Sequence, residues 1–320
     1  MGMVEELDLL LLGQTLLCLA HGLFLRDPFG LTLLPSALFL GLTLEQASIR
    51  LGGTHCHASS PLSNFSECSS LNSVLLYVVW IYLCVLTTRR LSPQPHHWTS
   101  PFLAGLVFFG YCGVYELQGP LMGWWWWPAD DLVLKAGGQL QQFGALADDP
   151  RGVVTSPYVA TALSDRVFGV PLMALYFHVA IGGAIYACLQ VMSFLSPFLA
   201  VLLAPPIAML WDIPIHLLIR ILPGTSRALV APILMLGSLL SPFLFGPPLK
   251  LNSPSDIMLL IIPLIHHGYF ISSALLRHGK ETLPNELKLT LCFLAGISLA
   301  LHACASGMLM IFRSERRKLE

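Results

Sequence analysis

The sequence predicts an all-α, polytopic membrane protein, a bundle of about nine transmembrane helices with eight as the alternative count. Three observations predict it. Of 320 residues, 55% are hydrophobic and 11% charged, against about 25% charged in a soluble domain. Mean hydropathy is +0.71, so too little polar surface remains to cover a globule and lipid must be the solvent for much of the chain. Apolar runs of spanning length also recur from end to end. The formal net charge of −1, with the basic residues scattered between those runs, argues against a nucleic-acid partner. The expected partner is the lipid bilayer.

In chain order the runs lie near 9–25, 31–49, 71–88, 101–123, 170–194, 197–222, 227–247, 255–276 and 287–311. About 20 residues cross roughly 30 Å of hydrocarbon. Each run must be helical, because an unpaired peptide group in lipid costs several kcal/mol. The first is read as a span and not a secretory signal, since Glu5, Glu6 and Asp8 stand where a basic segment is wanted. Glu6 likewise breaks the myristoylation pattern that Gly2 would begin. Arg26-Asp27-Pro28-Phe29-Gly30 turns the chain into the second run, which carries Pro35, Glu45 and Gln46. Runs six to eight hold Pro205, Pro206, Pro214, Pro232, Pro242, Pro247, Pro248 and Pro263. Such prolines bend helices and free backbone carbonyls, so straight rods are not expected. Residues 1–320 read as a single integral membrane domain, and 124–168 as an interfacial, lid-like loop between spans four and five.

The acidic N-terminus and the Arg313, Arg316, Arg317, Lys318 tail predict an outer or lumenal N-terminus and a cytoplasmic C-terminus, in an endomembrane or the plasma membrane. Arg89 and Arg90 then fall inside, which agrees. Arg220, Arg227, Arg277 and Lys280 fall outside, which does not. The loop from Gly52 to Cys68 faces the lumen or exterior in this orientation. Asn64-Phe65-Ser66 is then a glycan acceptor pattern, and Cys56 and Cys68 a candidate disulfide. Cys18, Cys84, Cys112, Cys188, Cys292 and Cys304 lie in apolar runs and read as small buried hydrophobes.

Ionisable groups inside a membrane are costly, about 2.5–3.5 kcal/mol for a mid-bilayer carboxylate, and they usually face a partner or a cavity. Those found here are Glu45, Glu116, His178, Asp212, His266, His267 and His302, with His21 and Gln14 in the first run. Counting residues at 1.5 Å each places Glu116 roughly 22 Å into span four and His178 roughly 12 Å into the returning span five. The two should meet. Asp212 and His266/His267 fall near the same level, which predicts one polar layer. Adjacent residues on a helix diverge by about 100°, so one of His266 and His267 would face another helix. Structural readings remain beside these: Glu116 bonding Tyr111 or Tyr115, and Asp212 capping backbone freed by Pro214.

Imidazole and carboxylate ligands suit zinc or iron, and a divalent metal is a candidate cofactor. No His-Glu-x-x-His or desaturase-type histidine series occurs, and the two histidines of His55-Cys56-His57 do not by themselves make a site. P-loop, Gly-x-Ser-x-Gly and Cys-x-x-Cys patterns are absent. Trp124, Trp125, Trp126 and Trp127 suit the lipid–water boundary. In a functional reading they form, with Tyr176, a rim that binds a lipid or isoprenoid chain.

Gly123-Trp-Trp-Trp-Trp-Pro128, Phe168-Gly-Val-Pro171 and Leu175-Tyr-Phe-His178 resemble a eukaryotic multi-pass membrane protein family of unknown function, over about residues 105–190. The resemblance implies membrane class and no activity. Phe168-Gly-Val-Pro171 is also faintly similar to the membrane-type carotenoid hydratases. Three functions fit the residues. The first is an enzyme or binder for a lipid or isoprenoid, with Glu116 or Asp212 as general acid/base, His178 as partner base or metal ligand and His266/His267 completing the layer. The others are a proton-coupled carrier and a non-catalytic scaffold.

Overall fold

A computed structural model describes residues 3–26, 28–52, 55–66, 68–127, 141–143, 153–155, 166–210, 224–249, 256–276 and 284–307. Asp212 and most of the 124–168 segment lie outside the described residues. The fold is all-α. Among the described residues its helices are α1 (Met3–Leu25), α2 (Pro28–Gln46), α3 (Leu71–Leu91), α4 (Ser100–Met122), α5 (Leu172–Leu195), α6 (Pro197–Leu210), α7 (Gly224–Phe245), α8 (Met258–Leu276) and α9 (Asn285–Ser306). They fall where the apolar runs were expected. Among the described residues, six stretches are long and apolar enough to cross a membrane: Val4–Leu25, Pro28–Ile49, Leu71–Leu91, Ser100–Pro120, Ala174–Met192 and Asn285–Ser306. The described apolar stretches in α6, α7 and α8 are shorter, and all three helices contain proline.

Helices α3 and α4 form the centre and are buried almost all round, whereas α1, α2 and α9 are less than half covered. The uncovered faces are apolar: Leu16, Leu23 and Phe24 on α1, and Leu289 and Phe293 on α9, are exposed. This is the pattern of a bundle solvated by lipid. Among the described residues, the most extensive helix–helix interface joins α4 to α5. Glycines make it close. A Cβ on Gly182 would lie 2.5 Å from Cβ of Phe108, one on Gly183 2.7 Å from the Pro101 carbonyl, and one on Gly105 2.5 Å from the Val179 carbonyl. Small residues are what let two helix backbones approach in lipid.

Short strands organise one end of the bundle. A π-helical turn, Ala47–Gly52, continues α2 and leads to β1 (Cys56–His57), β2 (Asn64–Ser66) and β3 (Ser69–Ser70). Gly123, at φ +69°, ends α4 in the left-handed region, and Trp124 N–H donates to the Gly119 carbonyl at 2.9 Å. That turn sends β4 (Trp125–Trp126) back across the bundle to pair antiparallel with β1. The strands thus join the loop after α2 to the segment after α4. The candidate disulfide of this loop is present, Cys56–Cys68. Two more hairpins follow, β5 (Gln141–Phe143) with β6 (Val153–Thr155), and β7 (Arg166–Val167) with β8 (Val170–Pro171). The Phe168-Gly169 dipeptide is the β7–β8 turn, both residues having positive φ, 51° and 80°. Such a two-residue turn matches the twist of paired strands.

Replacing Gly182 by leucine forces α5 away from Phe108. The expected loss is about 1–3 kcal/mol, read as a lower melting temperature of the detergent-solubilised protein. A surface control, Gly296→Leu, has open space around its Cβ and leaves the melt unchanged.

Candidate functional site

The pairing expected from residue counting is present. Glu116 on α4 and His178 on α5 face each other, with Oε1 and Nε2 3.0 Å apart and both side chains buried. The contact between α4 and α5 is what brings them together. The other ring nitrogen, Nδ1, lies 2.6 Å from the Ala174 carbonyl oxygen. A carbonyl only accepts, so Nδ1 carries a proton. The Nε2–carboxyl contact then holds one shared proton: on Nε2 if the glutamate is ionised, on the carboxyl if the imidazole is neutral. Aromatic rings enclose the imidazole. Trp80 and Phe108 have ring centroids 6.1 Å from it, and Phe177 5.8 Å. Their bulk keeps the proton in a low-dielectric setting, where its position responds strongly to any nearby charge.

His266 and His267 do not join this pair. They belong to a second cluster, on the α1, α8 and α9 side of α4. Tyr111 stacks on His266 with centroids 4.0 Å apart and touches His267 and His302 at 5.3 and 5.9 Å. The divergence of neighbouring helical residues is realised: His266 Nδ1 meets Gln14 of α1 at 3.3 Å, and His267 Nε2 meets Ser298 of α9 at 2.8 Å. His302 donates from Nδ1 to the Ser298 carbonyl at 2.7 Å. The single polar layer expected from helix depth is therefore two separate groups. The reason is azimuth: Tyr111 and Glu116 are five residues apart, about 140° round α4, so the two groups sit against different neighbours.

A third group was not foreseen. Glu45, near the end of α2, is buried and points at both histidines of the loop. Its Oε2 lies 3.3 Å from His55 Nε2 and 3.2 Å from His57 Nε2. Extended backbone explains the convergence, because residues i and i+2 of a strand share a face. His55 and His57 turn toward Glu45, while Cys56 turns the other way to Cys68. Two indoles, one in the paired strand and one just after it, lie against the imidazoles, His57 against Trp125 at 5.7 Å and His55 against Trp127 at 5.3 Å. The signal that could have found this group was His-x-His in an extended segment following a carboxylate inside an apolar run.

Two further buried acids also have partners. Asp256 is 2.8 Å from His21 of α1 and 2.8 Å from Arg90 of α3. Asp8 accepts from the Ser60 hydroxyl at 2.5 Å and from the Asn72 amide at 2.8 Å. Compared with protein-family models, with curated proteins and with solved structures, the chain finds no match.

The tryptophan run differs from expectation. Trp124 and Trp125 are buried at 2% exposure each, and both stack on Tyr115, with centroids 5.8 and 4.3 Å away. They are core residues here and not an outward rim. Gly119 permits this: a Cβ there would collide with the Trp125 ring. Trp127 is half-buried, and the Trp126 side chain is not among those described. Tyr176 is buried, but at two residues from His178 it lies about 200° round α5 and faces away from the pair. Asn64 is exposed, yet its side-chain amide donates to the Ser60 carbonyl at 2.9 Å. Attaching a glycan there would require that bond to yield.

Asp256→Asn removes the carboxylate that Arg90 and His21 share. Stripping one partner from a buried ion pair costs about 3–5 kcal/mol, and the partly exposed Arg90 puts this site at about 3. The readout is detergent thermal melting. A melt equal to wild type would mean that the bridge does not hold α8 to α1 and α3.

Proposed function

We propose that this protein is an integral membrane protein of about nine spans that performs proton transfer on a hydrophobic substrate of the lipid or isoprenoid class, using the Glu116–His178 pair. The observation that carries the reading is the 3.0 Å contact between two buried side chains that share one proton. A carboxyl and an imidazole in hydrogen-bond contact can pass a proton in either direction, and His178 is oriented for this by the Ala174 carbonyl. The aromatic surroundings support an apolar substrate, since a polar one would be stripped of water there with nothing to replace it. Kinship with the multi-pass family that residues 105–190 resemble is part of the proposal and adds membrane class alone. Asp212, outside the described residues, remains an alternative acid/base in it. The rival reading is a proton-coupled carrier, in which the pair would relay protons through the bundle.

Wild-type protein is expected to change the level of at least one hydrophobic metabolite in expressing cells, seen by comparative lipid mass spectrometry. Glu116→Gln and His178→Ala should each abolish that change by at least about 100-fold, with expression and detergent-solubilised size unaltered. Identical lipid profiles for wild type and both variants would refute the enzyme. Glu116-dependent acidification of proteoliposomes would favour the carrier.

The orientation in this proposal is N-terminus outside or lumenal and C-terminus cytoplasmic. Two facts support it: a disulfide in the loop after α2, which suits an oxidising compartment, and the β1–β4 pairing that joins that loop to the segment after α4. With this sidedness, an impermeant maleimide labels Ser63→Cys on intact cells, and Gln94→Cys only after permeabilisation. Both positions are exposed, so access and not burial decides the labelling. The reverse pattern would invert the topology.

A further inference from the structure

We propose that Glu45, His55 and His57 form a mononuclear binding site for a divalent transition metal of the zinc class, with a fourth position open. The site stands apart from the proton-transfer reading and does not depend on it. Among the described residues, these three form the group of metal-ligand side chains whose donor atoms all lie within 4.8 Å of one another. The distances fit a metal cage as well as they fit a pair of hydrogen bonds. A charge-assisted N–H···O contact closes to about 2.7–2.9 Å. Four donors held tetrahedrally at about 2.0–2.1 Å from an ion stand about 3.3–3.4 Å apart along each edge. Glu45 Oε2 is 3.2 and 3.3 Å from the two imidazole nitrogens. Both nitrogens also address the same carboxylate oxygen, as they would around a common centre.

The ligand set fits the chemistry. Two imidazoles and one carboxylate are the donors of open, three-ligand zinc sites, where the remaining position takes water or a substrate oxygen. An oxygen-only cation such as Mg²⁺ or Ca²⁺ is disfavoured by two nitrogen donors. Cys56 contributes no thiolate, because its sulfur is joined to Cys68.

The frame is built to hold this geometry. Glu45 comes from a helix, and its side chain is 3% exposed. His55 and His57 come from one extended segment that the disulfide, the β1–β4 pairing and the His57 N–H bond to the Cys68 carbonyl at 2.9 Å all tie down. The Trp125 and Trp127 rings pack against the imidazoles and form part of the apolar shell that limits solvent around such a site. The His55 side chain retains 13% exposure, so a metal ion has a route in from the aqueous boundary.

The test uses the full chain, purified in detergent, stripped with chelator and titrated with Zn²⁺ or Co²⁺ alone. One equivalent of Zn²⁺ should bind per chain by elemental mass spectrometry. Co²⁺ should show the intense visible bands of a four- or five-coordinate ion. Loss of a supporting residue around a metal already costs about 10–100-fold in affinity, so Glu45→Gln, His55→Ala and His57→Ala should each weaken binding by at least about 100-fold. His97→Ala, in the loop between α3 and α4, should bind as wild type. If Glu45→Gln fails to fold, His55→Ala decides, because that residue sits on the loop and is partly exposed. Sub-stoichiometric metal on wild type, octahedral Co²⁺ spectra, or equal affinity in the His55 and His57 variants would overturn the proposal and leave a carboxylate accepting two imidazole N–H bonds.

Discussion

A carboxylate inside an apolar bundle must be neutralised or paired, and that constraint organises this molecule. Asp8, Glu45, Glu116 and Asp256 are all buried. Asp8 ties α1 to Ser60 and to the start of α3, Glu45 ties α2 to β1, Glu116 ties α4 to α5, and Asp256 ties the approach to α8 to both α1 and α3. None of these pairs needs to add much net stability, because desolvation offsets most of the attraction. Their effect is on uniqueness. Apolar helices in lipid slide and rotate at little cost, whereas a helix rotated by one residue would leave a carboxylate facing hydrocarbon. The polar pairs set rotation and register, and small residues such as Gly105, Gly182 and Gly183 set separation.

The same constraint made part of the structure legible from sequence. Glu116 and His178 could be matched because each lies well inside an apolar run, and a helix rises by a constant amount per residue, so depth follows from counting. Depth alone does not give azimuth. That is why His266 and His267 were grouped with Glu116 but pack around Tyr111 instead. Asp256 and Asp8 lie at the ends of runs, where a charge reads as solvated, and only the folded chain brings Arg90, His21 and Asn72 to them. The tryptophan run misled for a different reason. Four indoles in a row suit a membrane boundary by composition, but the left-handed turn at Gly123 and the missing side chain at Gly119 fold two of them inward onto Tyr115.

Metal-ligand convergence was hidden by a change of period. Glu45 belongs to a helix, where neighbours recur at three and four residues, and His55 and His57 to an extended segment, where they recur at two. No single periodicity covers both. The ten-residue gap between Glu45 and His55 is closed by the π-helical turn Ala47–Gly52, a form that often marks functional sites because it widens a helix locally. The Cys56–Cys68 pairing was easier to foresee, since two cysteines in one short polar loop need no knowledge of the turn between them.

The proposed metal site and the proton-transfer pair lie in the same half of the bundle. Trp80 packs between Tyr77 and Tyr115, and Tyr115 in turn carries the indoles of Trp124 and Trp125. Trp125 then covers His57. A continuous run of rings therefore links the enclosure of His178 to the enclosure of His57. Packed rings of this kind exclude water. What the two groups share is a dry, ring-lined environment, more than any mechanical coupling. The strand pair at the bundle end therefore does more than close a loop. It lays the Trp125 and Trp127 rings against the two histidines that face Glu45.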